Sequence, residues 1–183
     1  MGDRWNLLIV RNLVLGPQTW GELRGGLPGV ATNLLSDRLT GLEEHGVIDH
    51  DGRLYALTER GRELEPVIFG LASWGERHYF GPPREGERAR LRYLFTALRR
   101  KLRPGARAAT VRFEVAGEVF TAALGESPEL VAGERGEADA VVRCSVEGLK
   151  GVLFGGAPLA PLVEGDVEAA AAFLRCTGFM GGG

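Results

Sequence analysis

The sequence is poor in cysteine and has no long apolar run near its start. Its two cysteines, Cys144 and Cys176, are too few for a disulfide framework and fit reduced core thiols, although a single disulfide between them is an alternative. The apolar run from Leu7 to Val10 ends at Arg11, so neither a signal peptide nor a membrane span is expected. We therefore expect a cytoplasmic protein without membrane insertion.

Residue groupings typical of catalysis or metal binding are also missing from the sequence. The three histidines, His45, His50 and His78, have no ligand spacing with either cysteine. The segment GVLFGG at 151–156 lacks the lysine of a phosphate-binding loop, and no serine or cysteine lies in a nucleophile-elbow context. We therefore expect no enzyme activity, no metal site and no cofactor.

Positive charge is concentrated in one segment, although the net charge of the chain is −2. Residues 81–112 contain ten basic and two acidic side chains, whereas the segments before and after them are each net acidic. Most arginine-rich faces are simply solvated. Contact with DNA or with the acidic C-terminal part of the chain is the alternative for this band.

The length of 183 residues suits two domains. We predict an α+β protein whose first domain occupies residues 1–80. A stiff linker, Gly81-Pro82-Pro83, is expected at residues 81–83. A second domain at 84–177 and a flexible glycine-rich tail at 178–183 complete the prediction.

The prediction for the first domain depends on helix caps and hydrophobic spacing. Asp3 and Thr19 are candidate N-caps of the first two helices, and a third helix is predicted from about Thr32 to His45. The Asp51-Gly52 dipeptide then predicts a hairpin turn, followed by a fourth helix from Glu59 to about Arg77 that Pro66 would kink unless it lies early. This order of elements is that of a winged helix-turn-helix, in which one helix enters the DNA major groove beside a β-hairpin.

The third helix has one apolar face, formed by Leu35, Leu39 and Leu42. Its polar side chains are therefore available for base and phosphate contacts, and a basic residue at the hairpin turn is available for the minor groove or a phosphate. The candidate DNA-binding residues are Thr32, Asn33, Ser36, Arg38 and Arg53. The alternative is that these residues form the solvated face of a surface helix and a solvated turn.

In the second domain the hydrophobic period changes from that of a helix to that of strands. Leu91, Leu94, Phe95, Leu98 and Leu102 form a helical stripe. From Thr110, apolar residues alternate with polar ones, and two further short strands follow at Leu130 to Ala132 and Ala140 to Cys144. We therefore predict a small, mostly antiparallel sheet, followed by helices that Ser145 and Asp166 cap.

The first 76 residues contain a series of short motifs, which are Trp5-Asn6-Leu7-Leu8-Ile9, Gly16-Pro17, Glu22-Leu23, Leu27-Pro28-Gly29-Val30, Leu35, Arg38-Leu39, Leu42-Glu43, Gly46, Tyr55, Leu57-Thr58 and Gly61-Arg62-Glu63-Leu64. In this order the motifs resemble the HxlR family of bacterial winged-helix transcriptional regulators. The resemblance implies a homodimer that binds double-stranded operator DNA, with the third helix in the major groove and the first and last helices at the dimer contact.

The chain departs from the family pattern at positions that bear on DNA binding. Thr19 precedes the aromatic residue of helix two and Asn33 occupies the start of helix three, where the family usually has basic residues. The short hairpin carries Asp49 and Asp51, and no cysteine precedes helix one, so thiol sensing is not expected. With Arg38 and Arg53 alone, a dimer offers about four phosphate contacts, against about six to ten for a strongly salt-dependent binder.

The second half contains Gly133 and the segments ADAVVRCSVEGLKGVLFGG and VEGDVEAAAAFL. By these features it resembles sterol carrier protein-like domains, which fold as an α/β layer around an apolar tunnel. The resemblance implies a hydrophobic small-molecule effector, and apolar residues between sheet and helices are candidates to line its pocket, with core packing as the alternative. These residues are Phe120, Leu149, Leu153, Phe154, Leu162 and Phe173.

Together these observations predict a DNA-binding transcriptional regulator whose C-terminal domain senses an apolar small molecule. The alternative is a small-molecule or lipid binding protein in which the winged helix serves dimerisation or protein docking. The net negative charge of residues 1–80 motivates that alternative.

Overall fold

The computed structural model describes residues 3–78 and 91–178 and divides the chain into two compact units, Met1–Arg88 and Ala89–Gly183. The predicted linker at 81–83 and the predicted tail beyond residue 178 lie outside the described residues. Within those ranges, no helix is long and apolar enough to cross a membrane.

Side chains cap the first two helices of the first unit. Asp3 caps α1 (Arg4–Leu13) by accepting a hydrogen bond from the backbone N–H of Trp5 at 2.8 Å. Thr19 and Glu22 form a reciprocal capping box at the start of α2 (Trp20–Gly26). The recognition-helix candidate α3 (Thr32–Glu44) ends before Gly46, whose φ of +66° is the left-handed conformation that glycine adopts readily.

A small sheet and two further helices complete the first unit. The strands β2 (Ile48–His50) and β3 (Leu54–Leu57) form the predicted hairpin. A two-residue strand β1 (Gln18–Thr19) pairs with β3 on its other edge, so that the order is β1-β3-β2 and both pairings are antiparallel. Residues of α1, α2, α3 and the hairpin share one apolar core, which includes Ile9, Leu23, Leu35, Leu39, Leu42 and Ile48.

The predicted fourth helix is two helices in the structure, α4 (Glu59–Arg62) and α5 (Glu65–His78). The prediction of one continuous helix was wrong at this point. Pro66 is the second residue of α5, where its missing N–H removes no intrahelical hydrogen bond. A new helix, α5, therefore begins one residue before the proline, and no kink within a continuous helix is needed.

The second unit is a five-stranded sheet with helices packed on it. Its elements are α6 (Leu91–Lys101), β4 (Ala109–Val115), β5 (Glu118–Leu124), β6 (Glu129–Ala132), β7 (Ala140–Cys144), α7 (Val146–Phe154), a short 3-10 helix (Ala160–Leu162), β8 (Val163–Gly165) and α8 (Val167–Thr177). The strand order is β6-β5-β4-β7-β8, in which only the β4 and β7 pairing is parallel. This arrangement agrees with the predicted mostly antiparallel sheet, while the likeness to sterol carrier proteins stays a prediction.

Four phenylalanines hold α6 and α8 against the sheet. The rings of Phe95 on α6 and Phe120 on β5 stack with centroids 3.8 Å apart. Phe113 on β4 contacts Phe95 edge-on at 5.4 Å and Phe173 on α8 at 4.7 Å. Because large aromatic side chains dominate core energetics, this cluster is the centre of the second unit.

Candidate nucleic-acid interface

The outer face of α3 is the polar surface that the sequence predicts. Leu35, Leu39 and Leu42 are each at most 1% exposed, which fixes the rotation of the helix about its axis. Three of the candidate residues, Thr32, Asn33 and Ser36, are exposed. The Ser36 hydroxyl donates a hydrogen bond to the Thr32 carbonyl at 3.3 Å, and its oxygen keeps the capacity to accept another.

The N-terminus of α3 has no side-chain cap. Its N-cap residue is Ala31, whose methyl side chain cannot accept a hydrogen bond from the N–H groups of the first turn. The first N–H groups of a helix have no intrahelical partner, and the helix dipole places positive charge there. Because Ala31, Thr32 and Asn33 are exposed, these N–H groups are accessible to an anion such as a DNA phosphate.

Arg38 has a partner within the protein. Its Nη2 lies 3.0 Å from Oδ2 of Asp3, and the two side chains are 35% and 36% exposed. The Nε atom of Arg38 is buried without a hydrogen-bond partner. In this structure Arg38 is thus tied to the N-cap of α1, and its contact with a DNA phosphate stays a prediction.

Arg53 lies at the tip of the hairpin, as predicted. The turn is fixed by Asp51, whose Oδ1 accepts hydrogen bonds from the backbone N–H groups of Leu54 at 2.7 Å and Arg53 at 2.9 Å. These two hydrogen bonds lower the pKa of the Asp51 carboxyl below its ordinary value of 3.8. The Arg53 side chain is exposed and forms no ion pair with any residue in the two described ranges.

An aromatic contact stiffens the hairpin behind this tip. The His50 and Tyr55 rings, which face each other across the two strands, stack with centroids 4.0 Å apart. Burial raises the pKa of the Tyr55 hydroxyl, and the negative charge of Glu43 raises it further. The Tyr55 side chain therefore stays neutral at physiological pH, and the hairpin carries Arg53 on a defined scaffold.

Two exposed arginines of the first unit were missed by the sequence reasoning. The Arg24 guanidinium lies 5.7 Å from the centroid of the Trp20 ring on α2, and that of Arg4 lies 4.7 Å from the Trp5 ring on α1. An arginine four residues after a tryptophan on a predicted helix was the available signal for Arg24, since such residues are neighbours on one face.

The six candidate ligand-binding residues of the second unit do not share one environment. Phe120 and Phe173 are fully buried in the aromatic cluster, and Leu149 and Leu153 are also buried. Phe154, in contrast, is 64% exposed, and Leu162 is half-buried. The structure thus places Phe120 and Phe173 as core-packing residues and Phe154 at the surface.

No metal-binding cluster of three or more histidine, cysteine or acidic side chains occurs within residues 3–78 and 91–178. The two cysteines form no disulfide with each other, and burial raises the pKa of the Cys144 thiol. The exposed polar side chains of α3 and of the hairpin tip form the candidate nucleic-acid interface of the first unit.

The first unit is similar in sequence to known helix-turn-helix regulators. A family model described as HxlR-like helix-turn-helix matches residues 1–81. An uncharacterized HTH-type transcriptional regulator of Synechocystis sp., sll1512, is 38% identical over 82 residues, which are 41% of this chain and 61% of that protein. YvaP of Bacillus subtilis, another uncharacterized HTH-type transcriptional regulator, is 35% identical over 81 residues, which are 40% of this chain and 75% of that protein.

Among solved structures, quinone-bound YodB from B. subtilis shares 32% sequence identity with this chain, at a TM-score of 0.40. The match covers 42% of this chain and 86% of that one. The chain spans about three-fifths of the length of the Synechocystis relative, at 61%.

Proposed function

The chain belongs to the HxlR-like helix-turn-helix family, and from this premise we propose that it is a transcriptional regulator that binds double-stranded DNA through α3 and the β2–β3 hairpin. The observation that carries the proposal is the exposed polar face of α3, which combines hydrogen-bonding side chains with an uncapped helix N-terminus. A helix of this kind fits the major groove, which is wide enough to admit it.

The proposal divides the DNA contacts between bases and phosphates. Asn33 suits an adenine, since its amide both donates and accepts, while the hydroxyls of Thr32 and Ser36 suit several bases. The N–H groups at the start of α3 and the guanidinium of Arg53 suit phosphates or the minor groove. Arg38 joins these contacts only after it has left Asp3, so DNA and Asp3 compete for it.

We propose that two chains form a homodimer through α5. Val67, Leu71 and Trp74 are 51%, 51% and 49% exposed and follow one another at helical spacing. Such a contiguous apolar stripe on a surface helix is typical of an interface with another chain. A dimer would place two copies of α3 in half-sites about one helical turn apart.

For the second unit, we propose a sterol carrier-like domain that binds a hydrophobic small-molecule effector. Such a molecule would bind one of two conformations of the dimer more tightly than the other. It would thereby change the affinity of the dimer for DNA. The proposal places the protein in the cytoplasm and assigns it no catalytic step, which fits its family membership.

The proposal is tested by fluorescence anisotropy with a labelled fragment of the DNA upstream of its own gene, at about 150 mM salt. We expect tighter binding to this fragment than to random DNA of equal length. Arg53→Ala should weaken binding, whereas Arg135→Ala, at an exposed arginine of the second unit, should not. Equal affinity for the two DNA fragments would refute the proposal.

A second candidate function follows from the ion pair of Arg38. With Arg38 paired to Asp3 and with Asp37, Asp49 and Asp51 on α3 and the hairpin, the surface has few available cations. The protein would then be a small-molecule or lipid binding protein whose winged helix serves dimerisation or protein docking. Native mass spectrometry distinguishes the two candidate functions. A small molecule that co-purifies with the protein, together with a lack of DNA affinity of the protein, would support the second function.

A further inference from the structure

The second unit has a cavity at the end of α8 that none of the six predicted ligand-binding residues lines. It has a volume of about 360 Å³ and lies between the segment after α6 and the last turns of α8. Three arginines line it, Arg103, Arg107 and Arg175, together with small apolar residues that include Pro104 and Ala172. A volume of this size is at the lower end of the range for small-molecule sites.

The backbone around the cavity is held in place by hydrogen bonds. The N–H of Arg103 donates to the carbonyl of Cys176 at 2.8 Å, and the N–H of Gly105 donates to that of Gly125 at 3.0 Å. Gly105 lies so close to α8 that an added Cβ would be 2.7 Å from Sγ of Cys176. The wall is therefore preformed, and a preformed wall reduces the entropy lost on binding.

The charges of the cavity leave one arginine without a counter-ion. Arg107 pairs with Asp166, and Arg175 pairs with Glu168. Arg103 has no carboxylate partner in the described part of the chain, and its only side-chain hydrogen bond is a 3.5 Å contact to the Arg100 carbonyl. The three lining arginines and their two acidic partners thus carry a net charge of about +1, which one negative charge on a ligand would neutralise.

We propose that this cavity binds a small organic monocarboxylate that has an apolar portion. The carboxylate accepts hydrogen bonds from the Arg103 guanidinium, whose forked geometry matches it. The apolar portion packs against Pro104 and Ala172 and can stack on a neighbouring guanidinium. A dianion such as phosphate fits less well, since the net charge is about +1 and part of the wall is apolar.

This site is independent of the proposed DNA binding, and its test needs no DNA. The probe is benzoate, with benzyl alcohol as a neutral compound of nearly the same shape and inorganic phosphate as a second anion. Cys176 lines the cavity and reports its occupancy, because a bound probe shields its thiol from iodoacetamide. Cys144, on β7, does not line the cavity and serves as an internal reference.

Mass spectrometry of the full-length protein's cysteine-containing peptides gives the two alkylation rates over a benzoate titration. We expect benzoate to slow the alkylation of Cys176 in a saturable manner without changing that of Cys144. Benzyl alcohol and phosphate should have much smaller effects. Equal protection by benzyl alcohol would show an apolar crevice only, and stronger protection by phosphate would show a different ligand class, so either result overturns the proposal.

Substitutions then test the assignment of Arg103. Arg103→Gln should raise the benzoate concentration needed for half-protection about tenfold, the usual effect of removing one hydrogen bond to a charged group. Arg103→Lys, which keeps the charge but not the forked geometry, should have an intermediate effect, and Arg135→Gln should have none. Circular dichroism verifies that each variant is folded. Unchanged protection in folded Arg103→Gln would overturn the proposal.

Discussion

The competition between Asp3 and DNA for Arg38 predicts that one substitution far from α3 in sequence increases DNA affinity. The two oxygens of Asp3 have separate tasks, because Oδ1 caps α1 through the Trp5 N–H and Oδ2 pairs with Arg38. Asp3→Asn keeps an oxygen for the cap, and asparagine is as good an N-cap as aspartate. The substitution removes the carboxylate, and with it the ion pair.

The expected magnitude follows from the exposure of the pair. With side chains 35% and 36% exposed, the ion pair contributes about 0.5 kcal/mol, in the usual range for such pairs. A dimer that no longer has to break two of these pairs gains about 1 kcal/mol in binding, which is about a fivefold decrease in Kd. The free energy of unfolding of each subunit should fall by a similarly small amount, about 0.5 kcal/mol.

The assay is an anisotropy titration of the upstream DNA fragment with four proteins: wild type, Asp3→Asn, Arg38→Gln and the double variant. The gain from Asp3→Asn should vanish in the Arg38→Gln background, because the released guanidinium is its cause. Asp3→Ala should show the same gain in affinity but lose about 1 kcal/mol more stability, since it also lacks the cap. Unchanged or weaker binding by Asp3→Asn would refute the reasoning.

Three further substitutions test other parts of the proposal. Leu71→Arg should shift a dimer toward monomer in size-exclusion chromatography with light scattering, whereas Val167→Arg, at an exposed valine of α8, should not. Phe120→Ala should lower the free energy of unfolding by about 3–5 kcal/mol in urea denaturation, because the ring is fully buried against Phe95; a much smaller loss would indicate that it lines an open pocket. Asp51→Asn should keep the hairpin turn and increase DNA affinity, since it removes a negative charge beside Arg53 while an oxygen still accepts both backbone hydrogen bonds. Because the pKa of Asp51 is lowered in the folded protein, its contribution to the turn is present above pH 3.8 and lost as the pH falls further, so that the protection of the Leu54 amide, measured relative to its intrinsic exchange rate, should decrease in acid in the wild type but not in the variant.

Local signals in the sequence were sufficient for most helix starts and for the main strands. Asp3, Thr19, Ser145 and Asp166 each cap a helix as expected, because a short polar side chain before an apolar run is a local feature. The alternation around Phe113 likewise predicted β4, whose buried and less buried residues alternate over its seven positions.

The two strands that were not predicted from the sequence, β1 and β8, have no hydrophobic pattern of their own. The strand β1 has two residues and β8 has three, so neither is long enough to show a period of two. Each exists because a longer strand, β3 or β7, has an edge with which it pairs. Such pairing depends on tertiary structure and is not encoded in the short segment itself.

For the candidate interface, the sequence predicted which residues of α3 are exposed but not what Arg38 contacts. The spacing of the leucines determines the buried face, and Thr32, Asn33 and Ser36 follow from it. The partner of Arg38 is 35 residues away in sequence, and only the packing of α1 against α3 brings the two together. The arginines of the α8 cavity were likewise not predicted to lie together, because they come from two distant segments of the chain.

The central claim, that α3 and the hairpin bind specific DNA, is tested most directly by incubating the purified protein with fragmented genomic DNA and sequencing what it retains at about 150 mM salt. The account predicts a small set of enriched sites with two similar half-sites about one helical turn apart, and the loss of this enrichment in an Asn33→Ala, Arg53→Ala double variant. Retained fragments with the same sequence distribution as the input would contradict it.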